Sequence, residues 1–171
     1  MAVLHLVDRP HHLVVTTFSG QVTVDEIAAA CTKLRHDHDF RPSYRQLADL
    51  SKVSRLELQP EQLTSIRLTY DPFAQESRRA FVATDENTFG VVTTYKSIVE
   101  SEQFAVFPSL LDAISWLDLE VTVLHAVCLR DRYRSKSTEA EKGLTFDLPA
   151  STPPTFRAMH RSSKKRHGTG H

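Results

Sequence analysis

Two stretches of this chain hold side chains whose types could do chemistry. The first, RHDHDF at residues 35–40, sets His36, Asp37, His38 and Asp39 side by side, and imidazoles with carboxylates are ligands of zinc and related ions. The spacing argues against a metal centre. His36 and His38 reach one ion only from an extended backbone, no second ligand pair closes the shell, and the run falls where a solvated loop leaves a helix. The second, YRQLADLSKVSRLELQP at residues 44–60, reads as a buried strand running out into a serine-bearing turn before a helix. Ser51 with Asp49 and a loop histidine would supply nucleophile, orienter and base. No G-x-S-x-G signature surrounds the serine, and the five glycines, two of them near the end of the chain, allow no phosphate-cradling loop. Serine in a strand-to-helix turn ordinarily caps backbone N–H groups. No enzyme activity, metal or cofactor is expected.

The elements that would position these residues follow from hydrophobic period. Val3 to Val7 and Leu13 to Phe18 are β-rich runs joined by DRPHH, an antiparallel pair turned at Pro10. Ile27, Ala30, Cys31 and Leu34 then fall on one helical stripe, with Thr23 and Glu26 as a capping box. In the loop that follows, Phe40 is the plug and Pro42 the helix breaker. The strand Tyr44 to Leu50 precedes a helix opened by Pro60, with Leu63, Ile66 and Tyr70 inward, ending near Asp71-Pro72. RRAFVATD is a nearly continuous apolar strand, covered on both faces. A helix from about Thr88 to Glu100 packs Phe89, Val92, Tyr95 and Val99, with Gly90 marking a close approach of a neighbouring backbone. FAVF is a short strand, and Ser109 with Asp112 caps a helix striped by Leu110, Ala113, Ile114 and Leu117.

The order ββαβαβαβα predicts a mostly parallel α/β sheet with right-handed crossovers. The chain divides into a domain over 1–118, a helical extension over 119–137 and a disordered basic tail over 138–171, where Pro, Ser, Thr and basic residues replace any apolar period.

With 21 basic and 21 acidic side chains among 171 residues, no net field draws the protein to nucleic acid or anionic membrane. Nucleic-acid contact is expected only through the basic tail, at Arg157, Arg161, Lys164, Lys165 and Arg166. Two cysteines, Cys31 and Cys128, in no metal or redox spacing suggest reduced thiols and a cytoplasmic protein. No apolar run reaches the ~20 residues that span a bilayer.

LHLVDRPHHLVVTTFSGQVTVDEIAAAC, FRPSYRQLADLSKVSRLEL, RRAFVATDENTFGVV and FAVFPSLLDAISWL together resemble the SpoIIAA-like (STAS/SEC14-like) family of small bacterial α/β proteins, over residues 3 to 118. The resemblance implies a right-handed βα superhelix: a mostly parallel five-stranded sheet with one antiparallel edge strand. In anti-sigma-factor antagonists of the STAS class, Asp-Leu-Ser after the central strand leads to a motif with a phosphorylated serine at a helix start. Asp49, Leu50, Ser51 and Val53 match its first half, but Glu57-Leu58-Gln59-Pro60 stands where the motif would be, leaving the phosphoacceptor position at Leu58 or Gln59. Neither can carry a phosphate.

These readings lead to a non-enzymatic STAS-like regulatory or protein-interaction module without the standard phosphorylatable serine. Asp49, Ser51, Ser54, Thr84 and Asp85, near the carboxyl ends of strands where open α/β sheets take ligands, are the expected docking residues. The partner would be a protein or a small apolar ligand. The alternative is a lipid or small-molecule carrier of SEC14-like type, with an unrecognised hydrolase behind it. The edge strand at Val3 to Val7 would also allow a homodimer.

Overall fold

A computed structural model describes residues 2–123. Its five strands lie in the order β1-β2-β3-β4-β5: β1 Val3–Asp8, β2 Leu13–Val22, β3 Arg45–Leu56, β4 Arg79–Val82 and β5 Phe104–Phe107. β1 runs antiparallel to β2 and every other pairing is parallel. The helices are α1 Val24–Arg35, α2 Pro60–Ser65, α3 Glu86–Val99 and α4 Leu110–Trp116, with a π-helical turn at Ile66–Tyr70 after α2. This is the mostly parallel α/β sheet that the element order predicts, with the one antiparallel edge strand that the resemblance implies. No helix among the described residues is long and apolar enough to cross a membrane.

Strand alternation divides the core. Phe18, Ala48, Leu50 and Phe81 pack against Ala30 of α1, Leu63 of α2 and Val92, Tyr95 and Val99 of α3. Leu13, Val15, Leu47, Ala80 and Val82 point to the opposite face, where α4 covers them with Ala113 and Ile114. Each crossover from β2 to β5 therefore moves one strand onward over the same face, so the three share one hand, the geometry of a βα superhelix. The α4 end is tied down by Arg45, whose Nη1 donates to the Leu117 carbonyl at 2.8 Å, and by Arg78, which donates to the Trp116 carbonyl and lies over its ring.

Local signals hold where one element suffices. The Thr23 and Glu26 capping box forms, with the Thr23 N–H donating to Glu26 Oε2 at 3.1 Å. Phe40 is buried against Tyr44 and Phe73. Three expectations are corrected. Ser109 occupies the N-cap of α4 without a side-chain capping bond, and Leu110 is exposed rather than inward. α3 begins at Glu86, capped by Asp85 rather than opening at Thr88. Gly90 admits no close backbone: a Cβ there would meet nothing within 4 Å. Gly90→Ala should therefore stabilise the protein by about 0.5–1 kcal/mol, the ordinary cost of glycine in an exposed helix interior, read as a higher urea midpoint.

The largest correction concerns residues 51–56. The turn expected at Ser51 is strand: β3 runs on to Leu56, paired with β2 alone past Asp49. Two register shifts explain the misreading. Thr17 to Ser19 on β2 spans Asp49 to Lys52 on β3, and Gly20 to Gln21 spans Val53 to Arg55, so β3 carries an extra residue at each place. Those bulges turn a spacing of three, Leu50–Val53–Leu56, into a same-face pattern, and all three pack on the α1–α3 side. A strict period of two cannot detect it.

The helical extension is entered at 121–123, which is helical. The rest of it and the basic tail lie outside the described residues.

Candidate functional site

Register places a row of polar side chains across the sheet interior. His5 pairs with Thr16, Val14 with Gln46, Gln46 with Arg79, and Arg79 with Phe104. Arg79 Nε donates to Gln46 Oε1 at 2.8 Å, Gln46 Nε2 donates to Thr16 Oγ1 at 2.9 Å, and His5 Nδ1 lies 2.9 Å from the same hydroxyl. At the other end Arg79 Nη1 donates to Asp71 Oδ2 at 2.6 Å. That oxygen also accepts from Tyr95 Oη at 2.8 Å and lies 3.4 Å from Arg67 Nη1, while Oδ1 accepts from the Phe73 N–H at 3.2 Å.

The π-helical turn puts Asp71 there. Its N–H donates to the Ile66 carbonyl at 2.8 Å, a bond spanning five residues, and the wider turn swings the carboxylate inward until it is 1% exposed. The guanidinium of Arg79 is caged by rings, 4.7 Å from the centroid of Phe73, 5.2 Å from Phe104 and 5.5 Å from Phe81. Burial disfavours its charge, but Asp71 and Tyr95 outweigh that and hold its pKa above the ordinary arginine value. Burial likewise raises the Tyr95 phenol, keeping it a hydrogen-bond donor. An ion pair this deep is a poor source of net stability unless every lone pair and proton is matched, and here most are.

Beside this network, between the sheet and α1–α3, lies a cavity of about 70 Å³, lined by apolar side chains that include Phe18, Leu50, Leu56, Leu58, Leu63 and Val91. Asp71, Arg79, Gln46, Cys31 and His5 also line it. Burial, reinforced by the Asp71 charge, pushes the Cys31 thiol up to about 12, so it is no thiolate nucleophile near neutral pH. Burial, then the Lys33 charge, pushes His5 down to about 4, too weak a base for general-base work at neutral pH.

His5 makes stability pH-dependent. Its folded pKa lies below the ordinary 6.5, so as pH falls the unfolded chain takes the proton first. The stability that neutral His5 confers is complete above about 6.5 and is lost as pH falls towards about 4. Between pH 7 and 4.5 the wild type should lose about 2–3 kcal/mol more than a His5→Phe variant in urea unfolding. Equal losses would remove His5 as the cause.

The docking residues read from the sequence sit elsewhere. Asp49 Oδ1 accepts from the Ser51 N–H at 2.9 Å, and Asp85 Oδ1 accepts from the Thr88 N–H at 2.9 Å. Hydrogen bonds from Thr88 hold the Asp85 carboxyl below the usual range. Ser51 and Ser54 are exposed on β3, and Thr84 is exposed just past β4. Asp49 pairs with Val82, which brings Asp49, Ser51, Thr84 and Asp85 to one end of the sheet, while Ser54 lies farther out on the β2–β3 ribbon. No side-chain bond joins β3 members of the set to Thr84 or Asp85. After α1, Asp37, His38 and Asp39 present ligand atoms within 4.8 Å of one another, but Arg9 lies 3.5 Å from Asp39 and His36 turns back onto the Thr32 carbonyl at 2.8 Å.

Sequence reading missed the Arg79–Asp71–Tyr95 network. Its available signal was a charge inside an apolar strand, Arg79 at the head of RAFV, together with an acid at a helix end, Asp71 before Pro72.

No family model and no curated protein matches the chain. Among solved structures, that of an uncharacterised protein from the DUF3478 family with a SpoIIAA-like fold, from Shewanella loihica PV-4, matches with a TM-score of 0.47 and 17% identity, covering 68% of this chain and 92% of that one. The chain is similar to that protein in fold.

Proposed function

We propose that this protein is a non-enzymatic, STAS-like binding module that holds a small apolar molecule between its sheet and α1–α3. The observation that carries this reading is the cavity itself: an apolar wall from the β2–β3 ribbon, α2 and α3, with a buried, hydrogen-bonded ion pair in its lining. Its volume of about 70 Å³ is several times the ~10–15 Å³ that one water requires, which suits a compact ligand rather than a long acyl chain. A raised thiol and a depressed imidazole beside it support holding over reacting.

Both candidate phosphoacceptor positions support a module without the standard switch. Leu58 packs against the core and lines the cavity, and the Gln59 N–H donates to Gln62 Oε1 at 2.8 Å at the start of α2. Native mass spectrometry of freshly purified protein should show a retained small molecule. Titration of the stripped protein with cyclohexanone or methylcyclohexane should shift the methyl resonances of Leu56, Leu58 and Leu63. Unmoved methyls with both probes would end the ligand reading.

One observation favours a second reading, docking of a protein. The outer part of β3, carrying Ser51 and Ser54, pairs with β2 on one side and with no described strand on the other. A partner strand could add there. Ser54→Pro, if folded, should lose a partner bound by strand addition and keep one bound elsewhere.

A further inference from the structure

Within that ligand reading, the guanidinium of Arg79 has hydrogens to spare. Arginine is a pure donor, with hydrogens on Nε, Nη1 and Nη2. Nε donates to Gln46 Oε1 at 2.8 Å and Nη1 to Asp71 Oδ2 at 2.6 Å. Counting the Tyr95 oxygen as a further acceptor, since it too supports the charge, still leaves hydrogens on the terminal nitrogens without an acceptor among the described residues. Nη2 is also within reach of open volume. The buried side-chain atoms that are sealed from water and lack a hydrogen bond include His5 Nε2 but not Arg79 Nη2, and 6% of the Arg79 side chain stays exposed. Arg79 lines the apolar cavity and does not border the smaller hollow beside Lys33 and Asp37.

Charge points to what those hydrogens take. Asp71 is the one acid in the cavity lining, and two guanidinium groups share it, Arg79 at 2.6 Å and Arg67 at 3.4 Å. Lys33 and Arg35 on α1 add positive field, felt at His5 and at Cys31 respectively. We propose that the cavity prefers small apolar carboxylic acids, bound as the carboxylate with an oxygen on Arg79 Nη2 and the hydrocarbon body among the apolar side chains of the lining. A charge-assisted hydrogen bond is stronger than a neutral one, and the ligand's negative charge offsets the cation that Asp71 alone leaves uncompensated. Asp71 repels an incoming anion, but hydrogen bonds from Arg79, Tyr95 and the Phe73 N–H, with Arg67 close by, spread its charge and reduce that repulsion.

Cyclohexanecarboxylate, cyclohexanone and methylcyclohexane share a ring and differ in charge and acceptor, so together they test this at neutral pH. From wild type to the double variant Asp71→Leu with Arg79→Met, the ratio of carboxylate to hydrocarbon affinity should fall about tenfold or more, and the ratio of ketone to hydrocarbon affinity should fall less. An unchanged carboxylate ratio, or an equal fall for the ketone, overturns the assignment and leaves the ligand reading standing. Leu56, Leu58 and Leu63 methyls unmoved by both neutral probes remove that reading and the assignment with it. ¹⁵N NMR of the Arg79 guanidinium tests the contact in the wild type without any variant: an Nη2 resonance shifted by cyclohexanecarboxylate but not by methylcyclohexane is expected. An Nη2 resonance that stays in place while the carboxylate moves the leucine methyls overturns the proposal.

Discussion

Replacing Asp71 with alanine should cost about 3–5 kcal/mol of stability, because it leaves the Arg79 guanidinium charged, caged by rings and without its counter-ion. Arg79→Met alone should cost a comparable amount, since it strands the Asp71 carboxylate, 1% exposed, with only Tyr95, the Phe73 N–H and the more distant Arg67 for company. The double replacement, Asp71→Leu with Arg79→Met, removes both charges at once and should cost far less than the two single changes added together. Full recovery is not expected. Gln46 Oε1 loses its donor, the Tyr95 hydroxyl its acceptor and the Phe73 N–H its cap, each at about 1 kcal/mol or more. A double-mutant cycle in urea measures the coupling, and additivity of the single costs would show that the two charges do not stabilise one another.

Phe104→Ala should be the most destabilising single apolar replacement near the network, at about 3–5 kcal/mol. Phe104 is 1% exposed, stacks on Phe81 with centroids 4.5 Å apart, meets Tyr95 edge-on at 5.8 Å and forms one wall around Arg79. Two effects combine: a cavity opens at the β4–β5 pairing, and the guanidinium loses a π face. Phe104→Leu separates them. It keeps most of the volume and forfeits the ring, whose interaction with a desolvated cation is worth about 2 kcal/mol. In an Arg79→Met background the cost of Phe104→Leu should therefore shrink by about that amount, read from shifts in urea midpoint. A cost equal in both backgrounds would assign the whole effect to packing.

These two predictions bear on function through the cavity floor. If the ion pair and its rings keep that floor rigid, variants that loosen it should weaken apolar-probe binding along with stability, and the double variant should recover both only in part.

The sequence by itself determined the element order, the strand pairing of β1 with β2, the capping box at Thr23 and Glu26 and the inward stripes of α1 and α3. Each depends on residues within a turn or two of one another, where side-chain period and backbone capping act directly. Only the tertiary structure decided that Ser51 and Ser54 lie on a bulged strand, because a bulge is defined by the partner strand's register and leaves a spacing that no local period matches. The same holds for the buried network. His5, Thr16, Gln46 and Arg79 come from four strands, Asp71 from the end of a π turn and Tyr95 from α3, and they become neighbours only when strand pairing and helix packing bring these segments together. A charge stays inside a core when its partners match it, and the partners gathered here, Gln46 on β3, Asp71 after the π turn and Tyr95 on α3, span more of the chain than one helical or strand period covers.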